Sequence, residues 1–166
     1  MPDNLRNDRR METIYIETTI VSYLVANPSQ DLILAAHQKI TQEWWREERA
    51  QYHCVTSEEV LREVSLGDAA MSRRRVEALV ELAVLQVDDP VRSLAKELVR
   101  EQLLPPAAVS DALHTAVATL HQVDYLLTWN CRHLANPHLQ KKLRAFMTGR
   151  GLVLPEICTP IDLAVE

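Results

Sequence analysis

The sequence is poor in glycine, cysteine and aromatic residues. Only three of its 166 residues are glycine, three are cysteine and one is phenylalanine. Few glycines and no polar low-complexity run exclude a disordered or linker-like chain and favour an ordered globular body. Three cysteines (Cys54, Cys131, Cys158) cannot all pair internally and none stands in a C-x-x-C spacing, so they read as reduced thiols rather than a disulfide framework. Cys131-Arg132-His133 lacks a second pair of ligands for zinc and reads as ordinary turn and helix-start residues. No apolar run reaches the length of a membrane span, and the N-terminus carries no hydrophobic signal core, so the default location is cytoplasmic. Positive charge is also lacking. A formal net charge of −5 does not favour a general nucleic-acid binder, which would show a basic face, and does not exclude an enzyme that meets RNA through bound cations and a local basic patch.

There is no internal repeat and no dividing linker, and the length suits one domain. Met1–Arg10 is polar, mixed in charge and without periodicity. It is expected to be a disordered leader before a domain spanning residues 11–166, with Met11 as an alternative start.

The most informative stretch is Pro105–Asn136. Val109, Ala112, Leu113, Ala116, Val117 and Leu120 recur at helical spacing, after two prolines that fit only at or before a first turn. Tyr125-Leu126-Leu127 then forms a short apolar run typical of a strand buried on both faces, ended by Thr128-Trp129-Asn130. Asp111 sits near the start of the helix, where the helix dipole favours a carboxylate. Open α/β sheets place their sites where strand ends meet helix starts.

The rest of the chain alternates in the same way. Thr13–Ile16 is expected as a first strand ending in Glu17-Thr18-Thr19, followed by a short helix to about Ala26. A helix over Asp31–Trp45 presents Ile33, Ala36, Ile40 and Trp44 on one face. His53–Val55 is a second strand. Ala70–Leu82 is a helix with Val76, Leu79, Val80 and Ala83 turned inward, and its start carries Arg73-Arg74-Arg75, the strongest basic run, read as solvated surface with RNA contact as the rival. Leu85–Val87 is a third strand. Asp89-Pro90 starts a helix that carries Val91, Leu94, Ala95 and Leu98 on one face. A basic helix over Pro137–Thr148 and a last strand over Leu152–Leu154, marked by Pro155 as a sheet edge, complete the pattern. Strands alternating with helices predict a parallel sheet covered on both faces.

After the second strand, Thr56 reads as a helix N-cap paired with Glu59 in a capping box, and Glu58 as the i+4 partner of Arg62. Glu63 has no such local explanation. It lies four residues after Glu59, with no cation at the next helical positions, and reads either as a solvated glutamate or as a ligand.

The run DALHTAVATLHQVDYLLTWN resembles two motifs of PIN-domain proteins, especially VapC-like toxins, which are metal-dependent ribonucleases. Ile14–Thr19 occupies the place of the family's opening acidic motif, Ser57 with Glu63 resembles the second, and Cys158-Thr159-Pro160 the closing one. The likeness extends over about Met11–Pro160. It implies a three-layer α/β/α PIN-like fold with a central parallel sheet of order 3-2-1-4-5, and a metal-binding and catalytic set of Glu17, Glu63, Asp111 and Asn130. Hard oxygen ligands select Mg²⁺ or Mn²⁺ over zinc. The implied reaction is hydrolysis of RNA by a metal-activated water, leaving 5′-phosphate and 3′-hydroxyl ends. The implied partners are an RNA substrate, a cognate antitoxin protein and a second copy of the chain.

Two positions depart from the family. Glu17 stands where most PIN domains carry aspartate, and its extra methylene adds about 1.5 Å of reach. Asn130 is neutral, and at best a single-oxygen ligand. These departures favour one metal over two, and they keep open a second reading, a PIN-like module that binds RNA or protein with weak or no cleavage. A phosphotransfer site of the receiver-domain kind is disfavoured, because no lysine ends the last strand. His114, close to Asp111 on the same helix, reads as a packing residue bonded to backbone or as a general base. Thr18, Thr19 and Thr128 read as donors that orient the carboxylates.

Overall fold

The computed structural model describes residues 10–164. The expected leader therefore lies outside the described residues except for Arg10, whose guanidinium is bound to the Asp124 carboxylate at 2.9 Å. Five strands, β1 (Thr13–Ile16), β2 (His53–Ser57), β3 (Ala83–Leu85), β4 (Tyr125–Leu127) and β5 (Glu156–Cys158), form one all-parallel sheet in the order β3-β2-β1-β4-β5. The helices are α1 (Thr18–Val25), α2 (Leu32–Glu47), α3 (Glu58–Val64), α4 (Ala69–Leu79), α5 (Asp89–Arg100), α6 (Val109–Leu120) and α7 (Pro137–Gly149). Right-handed crossovers assign α1–α4 to one face of the sheet and α5–α7 to the other. The packing of α1 on α2 and α4, and of α5 on α6, agrees with that assignment. This is the α/β/α architecture and strand order expected from the motifs.

The central strands are buried because they are apolar on both faces. Ile14, Tyr15, Ile16, Leu126 and Leu127 are fully buried. Ile14, Tyr15 and Ile16 register with Tyr125, Leu126 and Leu127, so β1 and β4 end side by side at the reversal of strand order. Helix α6 runs beneath them, buried nearly all round, with Ala112, Ala116, Val117 and Ala118 allowing close approach. Pro105 and Pro106 precede its first turn as expected. On α5, Val91, Leu94, Ala95 and Leu98 are buried together, also as expected.

Several local expectations are corrected. The buried face of α2 runs through Gln38, Thr41 and Trp44, while Ile33 is 71% exposed and Ala36 also faces solvent. On α4 only Leu79 is buried, Val76 and Val80 are exposed, and Ala83 lies in β3. Strand β3 falls two residues before Leu85–Val87, and β5 four residues after Leu152–Leu154, so that Pro155 precedes the strand. Thr56 is a buried β2 residue. The N-cap of α3 is Ser57, whose hydroxyl accepts from the Val60 N–H. Arg62 pairs in bidentate fashion with Glu59, not Glu58, and Glu58 accepts from the Val87 N–H. Asp88, one residue before Asp89, caps α5. All three cysteines are free thiols, with burial pushing Cys54 up to about 11 and Cys158 to about 12. Among the described residues no helix is long and apolar enough to cross a membrane.

Candidate metal centre

Parallel strands turn their carbonyl ends to one rim of the sheet, and the residues singled out by sequence collect there. Glu17 follows the last residue of β1 and caps α1. Its Oε2 accepts from the Thr19 N–H at 3.0 Å, from the Thr19 hydroxyl, and from the Thr128 hydroxyl beyond β4 at 2.8 Å. Its Oε1 has no hydrogen-bond donor among the described residues; the His114 Nε2 lies 3.9 Å away. Glu17 is only 3% exposed, and burial pushes its carboxyl above the ordinary range, against the pull of His114 and of the threonine donors.

Glu63, on the last turn of α3, points at the same spot. Its Oε1 accepts from the Thr18 hydroxyl at 2.7 Å and from the His114 Nε2 at 2.6 Å. Burial alone would raise its carboxyl, but the His114 bond and charge, with Thr18 and Arg62, reverse this and hold it below the ordinary value. The absence of a local partner noted in the sequence is thus made good by residues from α1 and α6. One ligand atom each from Glu17, Glu63 and His114 lies within 4.8 Å of the other two.

His114 is fully buried on α6, and its bonds go to side chains, not to backbone. Nε2 meets Glu63, and Nδ1 is 2.7 Å from the Tyr15 hydroxyl, which is in turn 2.7 Å from the Ser57 hydroxyl. Burial disfavours its charge, yet Glu63 and Glu17 together lift it above the usual histidine value. Tyr15 is fully buried, and burial raises its phenol well above the ordinary value.

Asp111 opens α6 as expected, but it forms a second group beside the first. Its Oδ1 accepts from the Asn130 amide at 3.0 Å, and its Oδ2 lies 2.9 Å from the His133 Nδ1. Asn130 is engaged at both ends, since its Oδ1 accepts from the His133 N–H. The two groups are joined through Thr128, whose hydroxyl bonds Glu17 and also accepts from the Asn130 N–H. The structure therefore brings Glu17 and Glu63 together with His114, and Asp111 together with Asn130 and His133. Sequence reasoning missed His133 as an Asp111 partner, because its reading as a turn residue looked no further than a zinc pattern.

Trp129 anchors this rim. Its indole N–H donates to the Thr41 hydroxyl at 2.7 Å, its backbone N–H to the Thr19 hydroxyl, and its ring stacks on His37 with centroids 4.0 Å apart. A groove of about 590 Å³ bounded by α3, α5 and α6 touches Glu59 and Arg62, but none of Glu17, Glu63 or His114, so it is a separate feature.

No protein-family model and no curated protein matches the chain. Solved structures do. A chain of VapBC2 from Rickettsia felis, bound to a DNA fragment from their promoter, superposes with a TM-score of 0.51 at 13% identity, over 89% of this chain and 98% of that one. Mycobacterium tuberculosis VapC20, a sarcin-ricin loop cleaving toxin, superposes with a TM-score of 0.52 at 20% identity, over 68% of this chain and 86% of that one. At such identities the likeness is one of fold: with five parallel strands in the order β3-β2-β1-β4-β5, this chain has the PIN-domain fold of the VapC-like proteins.

Proposed function

We propose that the protein is a divalent-metal-dependent endoribonuclease of the VapC toxin type, working in the cytoplasm under the control of a cognate antitoxin. The observation that carries this reading is the convergence of Glu17 and Glu63, from β1 and α3, on one point at the carboxyl rim of the sheet. The donor set fits a cation. Glu17 is buried with one carboxylate oxygen lacking any donor, an arrangement that costs free energy unless positive charge meets it. The similarity in fold to a sarcin-ricin loop cleaving toxin, and to a chain of VapBC2 bound to a DNA fragment, supports the substrate and partner classes.

On this reading Glu17 and Glu63 hold Mg²⁺ or Mn²⁺, and Asp111 and Asn130 complete the acidic rim. When bound there, such an ion would supply an activated water and neutralise charge on the phosphodiester and its leaving oxygen. Thr19 and Thr128 fix one oxygen of Glu17, so its other oxygen keeps a set direction. Thr18 does the same for Glu63. Purified protein incubated with varied RNAs and Mn²⁺ should cut them, and Asp111→Ala or added EDTA should stop the cutting. Cleavage that survives both controls removes this site from the reaction.

One observation favours a second reading, a module that binds RNA or a protein partner without cleaving. Both oxygens of Asp111 are already occupied by Asn130 and His133, and Asp111 is not among the residues whose ligand atoms gather with Glu17 and Glu63. Calorimetry separates the two readings, because a non-cleaving module of this kind takes up no Mn²⁺ saturably. Self-association, the remaining expectation, is read from sedimentation of the purified protein.

A further inference from the structure

The Glu17–Glu63 pair faces an imidazole that the acidic motif does not include. We propose that His114 Nε2 is itself a ligand of the ion, together with Glu17 and Glu63, making a mixed carboxylate–imidazole centre that selects Mn²⁺ or another first-row transition ion over Mg²⁺. The proposal rests on the reading of Glu17 and Glu63 as ion-binding, and adds to it both a ligand and a metal preference.

The three donors lie close enough to gather round one ion once the His114–Glu63 hydrogen bond, 2.6 Å long, opens to about 3 Å. Bonds of about 2.1 Å in octahedral geometry set neighbouring donors about 3 Å apart and opposite donors about 4.2 Å apart. His114 Nε2 is 2.6 Å from Glu63 Oε1 and 3.9 Å from Glu17 Oε1, and the three residues' donor atoms all fall within 4.8 Å of one another. Glu17 gives independent support. Its bonds all lie on Oε2, while Oε1, on a residue 97% buried, faces His114 with no hydrogen-bond partner. With every hydrogen bond of this largely buried carboxylate spent on Oε2, its Oε1 stays open to a ligand.

The far side of the ring is built for this role. An imidazole that binds metal through Nε2 carries its proton on Nδ1 and needs an acceptor there. The Tyr15 hydroxyl sits at that position, 2.7 Å away, and can accept this N–H while donating its own proton to Ser57 Oγ, 2.7 Å further on. A ligand role for Nε2 would free the proton that bridges it to Glu63: from the imidazolium that proton would leave to solvent, and from the neutral Nε2–H tautomer it would move to Nδ1. Tyr15 is thus a positioning residue for the ring. Nitrogen ligation suits Mn²⁺, Fe²⁺ or Zn²⁺, whereas Mg²⁺ keeps to oxygen donors and water.

Pulsed EPR of Mn²⁺ bound to the full chain tests ligation directly, and calorimetry with Mn²⁺ and Mg²⁺ tests preference. A nitrogen coupling is expected in the wild type and should change when the protein is made with isotope-labelled histidine, a comparison that needs no mutation of a buried residue. The coupling should persist in His133→Gln and vanish in His114→Gln, with Mn²⁺ affinity lowered at least about tenfold. Wild-type protein should bind Mn²⁺ more tightly than Mg²⁺. Saturable Mn²⁺ binding that depends on Glu17 but shows no nitrogen coupling overturns His114 ligation and leaves the carboxylate site standing. Mn²⁺ uptake that is absent, or indifferent to Glu17→Gln, overturns both.

Discussion

Substituting Glu63 by glutamine separates a paired glutamate from a merely crowded one. From sequence alone, Glu63 as a ligand would sit at a like-charge cost beside Glu17 and Asp111, so that neutralising it should stabilise the metal-free protein. The structure reverses that expectation. Glu63 accepts from His114 at 2.6 Å and Thr18 at 2.7 Å, with its side chain only 25% exposed. Hydrogen bonds to a charged group contribute about 1.5–3 kcal/mol. Glutamine keeps an acceptor but loses the charge, so Glu63→Gln should cost about 1–2 kcal/mol in EDTA, and Glu63→Ala about 2–3 kcal/mol. The pH dependence has a definite sign. His114 is raised in the fold, so its contribution is complete below the ordinary histidine value and fades as pH rises through its folded value. Glu63 is lowered, so its contribution is complete above the ordinary glutamate value and is lost as pH falls through its folded value. The pair therefore stabilises most between about pH 4.5 and 6.5. Urea unfolding of wild type and Glu63→Gln in EDTA, at pH 6 and again at pH 8.5, should show the larger gap at pH 6. Equal stabilities at pH 6, or a more stable variant, refute the pairing.

The burial cost lies instead at Glu17. Its raised carboxyl means stability present below the ordinary glutamate value and lost as pH rises through the folded value, so Glu17→Gln should melt higher than wild type in EDTA at pH 7.5 and show no shift on adding Mn²⁺. Asn130→Asp places a second carboxylate where the amide now donates to Asp111 at 3.0 Å. It should lower the EDTA melting point and enlarge the Mn²⁺-induced rise, both read by calorimetric scans. Trp129→Ala removes a stacked, hydrogen-bonded ring from under the rim and should cost about 3–5 kcal/mol in urea unfolding.

How far the sequence could be read depended on how local each signal was. Strands β1 and β4 and helix α5 were legible because their apolar residues are largely buried together, and α6 because Ala112, Ala116 and Val117 are buried, although Val109 at its start is exposed and Leu113 and Leu120 are half-buried. Four acidic or amide positions fell at strand ends or on helices near them. The edge strands were not. Leu152-Val153-Leu154 is an apolar run, yet Val153 is 79% exposed, and the pairing is made by Glu156–Cys158, whose backbone reaches β4. Strand β3 has only half-buried or exposed residues, so apolarity could not locate it. The α2 face was misjudged because its inward positions include Gln38 and Thr41, polar residues satisfied by Asn27, Ser29, His37 and Trp129. The partners of Glu63 and Asp111 were out of reach for a similar reason: His114 is 51 positions from Glu63, and His133 is 22 from Asp111. A tyrosine within a buried strand and a histidine on a buried helix were visible, but only the fold sets them 2.7 Å apart.

The central claim is that Glu17 and Glu63 hold the ion at which RNA is cut. Its most direct test is RNA cleavage at saturating Mn²⁺ by wild type, Glu17→Gln and the double variant Glu17→Gln/Glu63→Gln, each shown to be folded by its cooperative melt. The account predicts cleavage by wild type alone, with loss of at least about hundredfold in both variants. A folded double variant that cuts RNA at the wild-type rate contradicts it.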